Sequence, residues 1–160
     1  MKRAAAAISV MVAGTAPAAA PPALDMTAFF TGRTHAENVL NIFLSRSSRL
    51  VVDSVGRSNG KEFVLIDTIH ENGKPVRERK WIMRPAGPNH FTGTLSDAVG
   101  PVDVRISGNQ ATIRYTMNGG LKVDELLQLL ADGRTLANHV AVRRFGLKFA
   151  SIEGKIRKLD

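Results

Sequence analysis

The sequence predicts an all-β protein: a single antiparallel up-and-down β-barrel of about ten strands, with a short N-terminal helix after a signal peptide. From residue 45 onward, turn signals recur at short intervals, and the stretches between them are rich in Val, Ile, Thr and aromatic residues. Consecutive hairpins leave two sheet edges exposed, and closing the sheet into a barrel removes both. A two-sheet sandwich is the alternative, and the barrel is our first choice.

The first twenty residues have the pattern of a secretory signal peptide. They begin with Met1-Lys2-Arg3, continue with small and apolar residues, and end in Ala-Pro-Ala-Ala-Ala. The apolar stretch falls well short of the ~20 residues that a membrane span needs. We therefore expect a signal peptide over residues 1–20, cleaved after Ala18 or Ala20, and a single barrel domain over residues 21–160. The expected location is periplasmic or secreted.

Composition excludes several kinds of site and favours certain partners. The chain contains no cysteine, which excludes a disulfide, a lipid-attachment cysteine, a thiolate metal site and a cysteine nucleophile. The formal net charge is +8, and it falls by two to +6 without Lys2 and Arg3. This excess favours anionic surfaces such as phospholipid headgroups. Export makes nucleic acid the least expected partner, so we predict none. The oligomeric state stays open.

A helix and ten strands follow from the caps and turns. Asp25 is the predicted N-cap of a helix over Met26–Thr31, and Gly32 its C-cap. After it, Asn-Gly, Gly-Asn and Asp-Gly pairs supply the positive φ angles that tight hairpins require. The predicted strands are Thr34–Leu44, Leu50–Arg57, Glu62–Glu71, Val76–Arg84, His90–Leu95, Val102–Ser107, Ala111–Met117, Glu125–Leu130, Thr135–Arg144 and Leu147–Lys158.

The tract 121–131 fits two patterns. Val123, Leu126, Leu127 and Leu130 fall at helical spacing, so an amphipathic helix is the alternative there. The adjacent Asp-Gly turn and the strand-like stretch that follows it favour a strand.

One strand carries the residues most typical of a ligand site. A period of two places Arg77, Arg79, Trp81 and Met83 on one face, and the only tryptophan of the chain indicates that this face points inward. A buried guanidinium needs an anionic partner, and Arg79 can hold a carboxylate or phosphate bidentately. The structural alternative is an ion pair with Asp67 on the preceding strand, or a cation–π contact with Trp81. These five residues are the ligand-binding candidates.

Residues 93–101 form the most distinctive turn of the chain. We expect a rigid corner built on Gly93, Asp97 and Gly100, in which the Asp97 side chain accepts hydrogen bonds from backbone N–H groups two residues on. The alternative is a binding loop at the mouth of the barrel.

Six basic residues near the C-terminus are the candidate contact for an anionic membrane surface, although a solvated face is the simpler explanation. They are Arg143, Arg144, Lys148, Lys155, Arg157 and Lys158. The four histidines lack metal-ligand spacing, and neither H-E-x-x-H nor G-x-S-x-G occurs. We predict no catalytic residue, no metal site and no cofactor.

Several separated segments resemble a bacterial family called domain of unknown function 3833, whose members look like lipocalin-like envelope proteins. The segments are Leu24-Asp25 with Phe29-Phe30-Thr31-Gly32, Arg79-Lys80-Trp81, Gly93-Thr94-Leu95-Ser96-Asp97 through Gly100, and Arg144-Phe145-Gly146. The resemblance covers essentially the whole mature chain and implies a lipocalin-like β-barrel in the cell envelope, involved with lipid. Members often carry a cysteine after the signal. This chain has none, which implies peripheral association or free periplasmic residence. The resemblance brings no established activity.

Three functional hypotheses follow from these patterns. The first is an exported binding module that holds an amphipathic or apolar anionic ligand such as a lipid, with Arg79 at its polar end. The alternative is a non-catalytic envelope protein that docks on anionic surfaces through the basic face of a solid barrel. The third is a lipid-modifying enzyme with His35, Glu37 or His139 converging in the cavity.

Overall fold

The structure, a computed structural model, describes residues 21–160, so the predicted signal peptide over residues 1–20 lies outside the described residues. One short helix precedes ten antiparallel strands. The elements are α1 Met26–Phe30, β1 Gly32–Ile42, β2 Ser48–Ser58, β3 Phe63–Glu71, β4 Arg77–Gly87, β5 His90–Leu95, β6 Ala98–Ser107, β7 Gln110–Met117, β8 Leu121–Leu129, β9 Thr135–Arg144 and β10 Leu147–Lys158.

The strands pair in chain order, and the first strand also pairs with the last. In the closing ladder, Thr34 of β1 lies opposite Lys158 of β10, and Ile42 lies opposite Ala150. The sheet is therefore a closed barrel without a free edge. The prediction of a ten-stranded up-and-down barrel is confirmed, and the sandwich alternative is wrong.

Two strands, β6 and β8, begin four residues earlier than predicted because hairpin pairing continues up to the turns. β8 begins at Leu121, so the ambiguous tract is a strand rather than a helix, and it buries Val123 and Leu127 on its inner face. β6 begins at Ala98 rather than Val102, because residues 98 and 99 already pair with β7. The strand favoured for the tract 121–131 is thus confirmed, and the helix alternative is wrong.

The helix lies where the sequence predicts it. Asp25 is its N-cap, with Oδ1 accepting a hydrogen bond from the Ala28 N–H at 2.9 Å. Its C-cap is Thr31 in extended conformation, so the expectation for Gly32 is wrong: with φ of 91°, Gly32 begins β1 instead. Within residues 21–160, no helix is long and apolar enough to cross a membrane.

The two ends of the barrel differ. The segment 22–31 crosses the end where β1 begins: the Leu24 N–H donates to the Gly108 carbonyl at 2.9 Å, and Lys158 Nζ donates to the Phe29 carbonyl at 3.1 Å. A Cβ on Gly56 of β2 would overlap the Phe30 carbonyl oxygen, so only glycine lets the segment lie this close. We call this end the closed end. The opposite end carries the turns 43–47, 72–76, 96–97, 118–120 and 145–146, and we call it the open end.

Candidate functional site

The barrel interior contains a cavity of about 450 Å³ that reaches from α1 to the open end. Its walls are mainly aliphatic and aromatic, contributed by inward-facing residues such as Leu40, Val52, Leu65, Phe91 and Val140. The size falls in the range of roughly 300–1,000 Å³ that is typical of small-molecule sites. The barrel is therefore hollow, and the solid barrel assumed in the docking hypothesis is wrong.

All five predicted ligand-binding candidates line this cavity. Arg77, Arg79, Trp81 and Met83 project from β4, and Asp67 projects from β3, directly opposite Arg79 in the register. The period of two assigned the inward face of β4 correctly because successive side chains of a strand alternate between its two sides.

Polar side chains form a row across three neighbouring strands and the β5–β6 turn. Ser54 of β2 is paired with Asp67 of β3, and Asp67 with Arg79 of β4. Asp97, in the turn after β5, continues the register in which Trp81 pairs with Leu95. We call Ser54, Asp67, Arg79 and Asp97 the polar row.

Arg79 pairs with Asp97 rather than with Asp67, which corrects one sequence expectation. Its Nε and Nη2 donate to the same Asp97 oxygen, Oδ2, at 3.0 and 2.8 Å, so Nη1 remains for a second acceptor. The Arg79 side chain is only 15% exposed, and the ion pair neutralises its buried charge. The cation–π alternative also holds, since Arg79 Cζ lies 6.0 Å from the Trp81 ring centroid. Burial alone would lower the pKa of Arg79, but the charges of Tyr115, Asp97 and Asp67 raise it above its ordinary value.

Asp67 is held by two neutral donors. The Ser54 hydroxyl and the Trp81 Nε1–H each donate to its carboxylate at 2.7 Å. Burial raises the pKa of Asp67 above its ordinary value, although both hydrogen bonds and the charge of Arg79 oppose that rise. The contact also fixes the orientation of the only indole ring in the chain, and it presents that ring to the cavity.

Two further polar residues enter the lumen from β7 and β8, and sequence reasoning missed both. The Tyr115 ring packs edge-on against Trp81, with centroids 5.6 Å apart. Burial raises the pKa of Tyr115, and it raises the pKa of Glu125 to about 7. Arg79 partly offsets both effects. Tyr115 could have been predicted to face inward, because it lies two residues after the apolar Ile113 on the same strand face. Glu125 could not, because the sequence left open whether its tract is a strand or a helix.

An asparagine pair forms a second polar contact in the lumen. Asn138 of β9 donates through Nδ2 to Asn38 Oδ1 of β1 at 3.3 Å, across the intervening β10. Gly154 of β10 is paired with both residues, and a Cβ there would lie 2.5 Å from Asn38 Oδ1. Among residues 21–160, the buried Oδ1 of Asn138 has no hydrogen-bond partner.

The predicted corner has a different construction. Asp97 accepts hydrogen bonds from Arg79 rather than from backbone N–H groups two residues on, because the buried guanidinium requires a counter-charge. Gly93 lies inside β5, packed against the Ile82 carbonyl, and Gly100 lies inside β6 with φ of 77° where the register shifts. The turn itself is only Ser96-Asp97.

The six basic residues do not form one surface, because they divide between the two ends. Arg143, Arg144 and Lys148 lie near the open end, on either side of the β9–β10 turn. The other three, Lys155, Arg157 and Lys158, lie toward the closed end of β10. Arg143 also forms a salt bridge with Asp124 at 2.7 Å. Lys158 donates hydrogen bonds to the carbonyl oxygens of Phe29 and Thr31, in the segment 22–31 that crosses the closed end.

The residues of the enzyme hypothesis point away from the lumen. His35 and Glu37 lie on the outer side of β1, where His35 Nδ1 contacts Asp53 at 2.7 Å, and His139 is exposed on β9. They do not converge in the cavity, so that expectation is wrong. In the described part of the chain, no three His, Asp or Glu side chains are arranged to hold a metal ion.

A closed antiparallel barrel with an apolar cavity and a row of polar side chains is compatible with a lipocalin-like binding protein. The family is shown by sequence: a family model described as "Protein of unknown function (DUF3833)" matches residues 8–158. The chain belongs to this family, and the resemblance found in the sequence is confirmed. No curated protein matches the chain.

Proposed function

We propose that this protein is an exported binding module that holds a lipid or similar amphipathic ligand in the barrel. The cavity of about 450 Å³, walled by apolar side chains and crossed by the polar row, is the observation that carries the proposal. Apolar pockets with a few convergent polar groups are the usual form of small-molecule sites. The acyl part of the ligand fills the lumen, and its head lies at the polar row.

The head contacts Arg79 and is anionic. Nη1 of Arg79 is the donor not committed to Asp97, and a carboxylate or phosphate oxygen is its natural acceptor. Glu125 faces the same lumen with a pKa raised to about 7 by burial. Below that pH Glu125 is neutral and does not repel an anion. The affinity for an anionic ligand therefore falls as the pH rises through 7.

Trp81 is the only tryptophan, so its fluorescence reports on the cavity without a label. We expect oleate to change this fluorescence saturably, and Arg79→Gln to weaken oleate binding by about tenfold or more, since charged hydrogen bonds contribute about 1.5–3 kcal/mol. Arg105→Gln is the matched control, because Arg105 is exposed on the outer side of β6. Its affinity for oleate stays that of the wild type.

Uncharged monoolein separates the two parts of the proposal. If monoolein binds as tightly as oleate and Arg79→Gln changes neither, the cavity is a lipid site but the anionic head is wrong. If neither lipid changes the fluorescence and no amphiphile copurifies in native mass spectrometry, the binding function is wrong. The export part requires that the mature chain, purified from the cell that makes it, starts after Ala18 or Ala20.

A further inference from the structure

The open end exposes apolar side chains at the tips of two adjacent turns. Phe43 and Leu44 follow β1 and are 70% and 91% exposed, while Phe145 and Leu147 at the β9–β10 turn are 91% and 76% exposed. The turns are neighbours because β1 pairs with β10, and the Phe43 N–H donates to the Phe149 carbonyl at 2.9 Å. Contiguous exposed apolar residues mark an interaction surface. We call Phe43, Leu44, Phe145 and Leu147 the apolar tips.

Two of the apolar tips also occupy unfavourable backbone. Leu44 has φ of 60° and Phe145 has φ of 50°, in the left-handed region that disfavours large L side chains. Since both side chains are 91% exposed, they add nothing to the core that would compensate for this strain. Strain retained at an exposed apolar residue points to a contact made outside the chain.

Positive charge surrounds the apolar tips. Arg46 lies in the β1–β2 turn, and Arg144 and Lys148 flank the β9–β10 turn. Arg144 Cζ lies 5.3 Å from the centroid of the Phe145 ring, so charge and apolar surface are presented together. Residues 43–48 and 144–149 contain no acidic side chain. We call Arg46, Arg144 and Lys148 the rim cations.

We propose that the open end docks on an anionic phospholipid bilayer, with the apolar tips inserted between headgroups and the rim cations on lipid phosphates. Each Lys or Arg held at such a surface adds to binding, and inserted apolar side chains add further. Phe149 connects the tips to the lumen, because it also lines the cavity. Docking does not require a lipid in the cavity, so it stands independently of the proposed ligand.

A second copy of this chain is the competing occupant of the surface. In a two-fold dimer each patch faces its own copy, so the rim cations would lie against equal charges. A stable interface also buries about 800 Å² of complementary surface per partner, whereas the apolar tips are protruding turns. Charge and shape therefore favour the bilayer.

The test is flotation with phosphatidylcholine vesicles that contain about one third phosphatidylglycerol. The variant Leu44→Asn/Phe145→Asn removes two apolar tips and keeps residues that tolerate left-handed backbone, so the barrel remains folded. We expect it to bind these vesicles at least about tenfold more weakly than the wild type. Leu159→Asn is the matched control: Leu159 is 50% exposed at the closed end, and its replacement leaves binding unchanged.

A second pair of variants tests the charge. Replacing the rim cations by Gln weakens vesicle binding by about fivefold per residue and flattens its salt dependence. The control Lys155→Gln/Arg157→Gln removes two exposed charges from β10, the strand that also carries Lys148, but near the closed end. We expect no comparable loss of vesicle binding.

Three results would overturn the proposal. The first is that the wild type floats with neither anionic nor neutral vesicles. The second is that it floats equally well with both at any salt concentration. The third is that the Leu44→Asn/Phe145→Asn variant binds the vesicles as tightly as the wild type does. Sedimentation velocity adds a fourth: a dimer lost in that variant, with no vesicle binding, assigns the surface to self-association. Oleate binding by the same variant keeps this result separate from the proposed function, since the lumen is unchanged.

Discussion

The two ends of the barrel use the same backbone conformation in their turns and fill it with different residues. At the closed end, the non-glycine residue with positive φ is Asn89, at 53°. Asparagine tolerates this conformation because its short polar side chain bonds locally. At the open end the equivalent residues are Leu44 and Phe145, which do not. The residue with positive φ at the closed end thus suits its backbone conformation, whereas those at the open end do not. Such departures concentrate at functional sites.

Packing shows the same contrast. At the closed end, Phe29 and Phe30 are 5% and 6% exposed and stack edge-on with their centroids 5.1 Å apart. At the open end, Phe43 and Phe145 lie largely in solvent. One end uses its aromatic residues to hold the barrel together, and the other presents them outward. The buried aromatic side chains that stabilise the barrel and the exposed ones are therefore separated along the barrel axis.

Removing one phenylalanine from each end should affect stability very differently. Phe30→Ala should lower the free energy of unfolding by about 3–5 kcal/mol, because a buried ring is lost and the lumen enlarges. Phe145→Ala should change it by less than about 0.5 kcal/mol, since the ring is exposed. Urea denaturation of the two variants measures both. Equal losses would mean that the open-end turns also contribute to the core, and the division between the ends would be wrong.

Glu125 tests how far water reaches from the open end into the lumen. Its pKa in the folded protein is about 7, raised by burial, whereas in the unfolded chain it is ordinary. The folded state therefore binds this proton more tightly, and the cost of ionising Glu125 is absent below about pH 4 and fully present above about pH 7. Glu125→Gln should raise the free energy of unfolding by roughly 3 kcal/mol at high pH and by little at low pH.

Urea denaturation at about pH 4 and about pH 8 measures this difference. Glu78→Gln is the control, because Glu78 is exposed on the outer side of β4 and its replacement should give no pH-dependent gain. A Glu125→Gln variant with the same stability difference at both pH values would show that bulk water enters through the open end and solvates this carboxylate.

The sequence was sufficient to predict the ten strands and the inward face of β4, because both follow from local rules. Gly and Asn mark where the chain must turn, and the pleat fixes which side chains alternate. Arg79, Trp81 and Met83 therefore lie on the predicted face.

The partners of these side chains depend on register, which no local pattern contains. Asp97 neutralises Arg79 because the hairpin between β4 and β5 places Ser96-Asp97 directly across from it. Asn38 and Asn138 meet only because Gly154 of the strand between them has no side chain. The difference in exposure between the two ends is likewise a property of the closed barrel, since it depends on which turns the segment 22–31 covers.

Most substitutions destabilise a protein, but asparagine at the two strained open-end positions should stabilise this one. Leu44→Asn and Phe145→Asn should each raise the free energy of unfolding by about 0.5–1 kcal/mol, because asparagine relieves the cost of left-handed backbone. Asn89→Leu, at the closed end, should lower it by a similar amount. Thermal and urea denaturation of the three single variants measure these changes.

Whether asparagine stabilises or destabilises the open-end turns decides whether Leu44 and Phe145 serve the fold or an external contact. If the open end is shaped for an external contact, replacing its strained residues stabilises the isolated protein while it weakens vesicle binding, which is the trade-off expected where function opposes stability. If Leu44→Asn and Phe145→Asn instead destabilise the barrel, these side chains support the fold in solution. Their exposure then needs no partner, and the open and closed ends follow the same design.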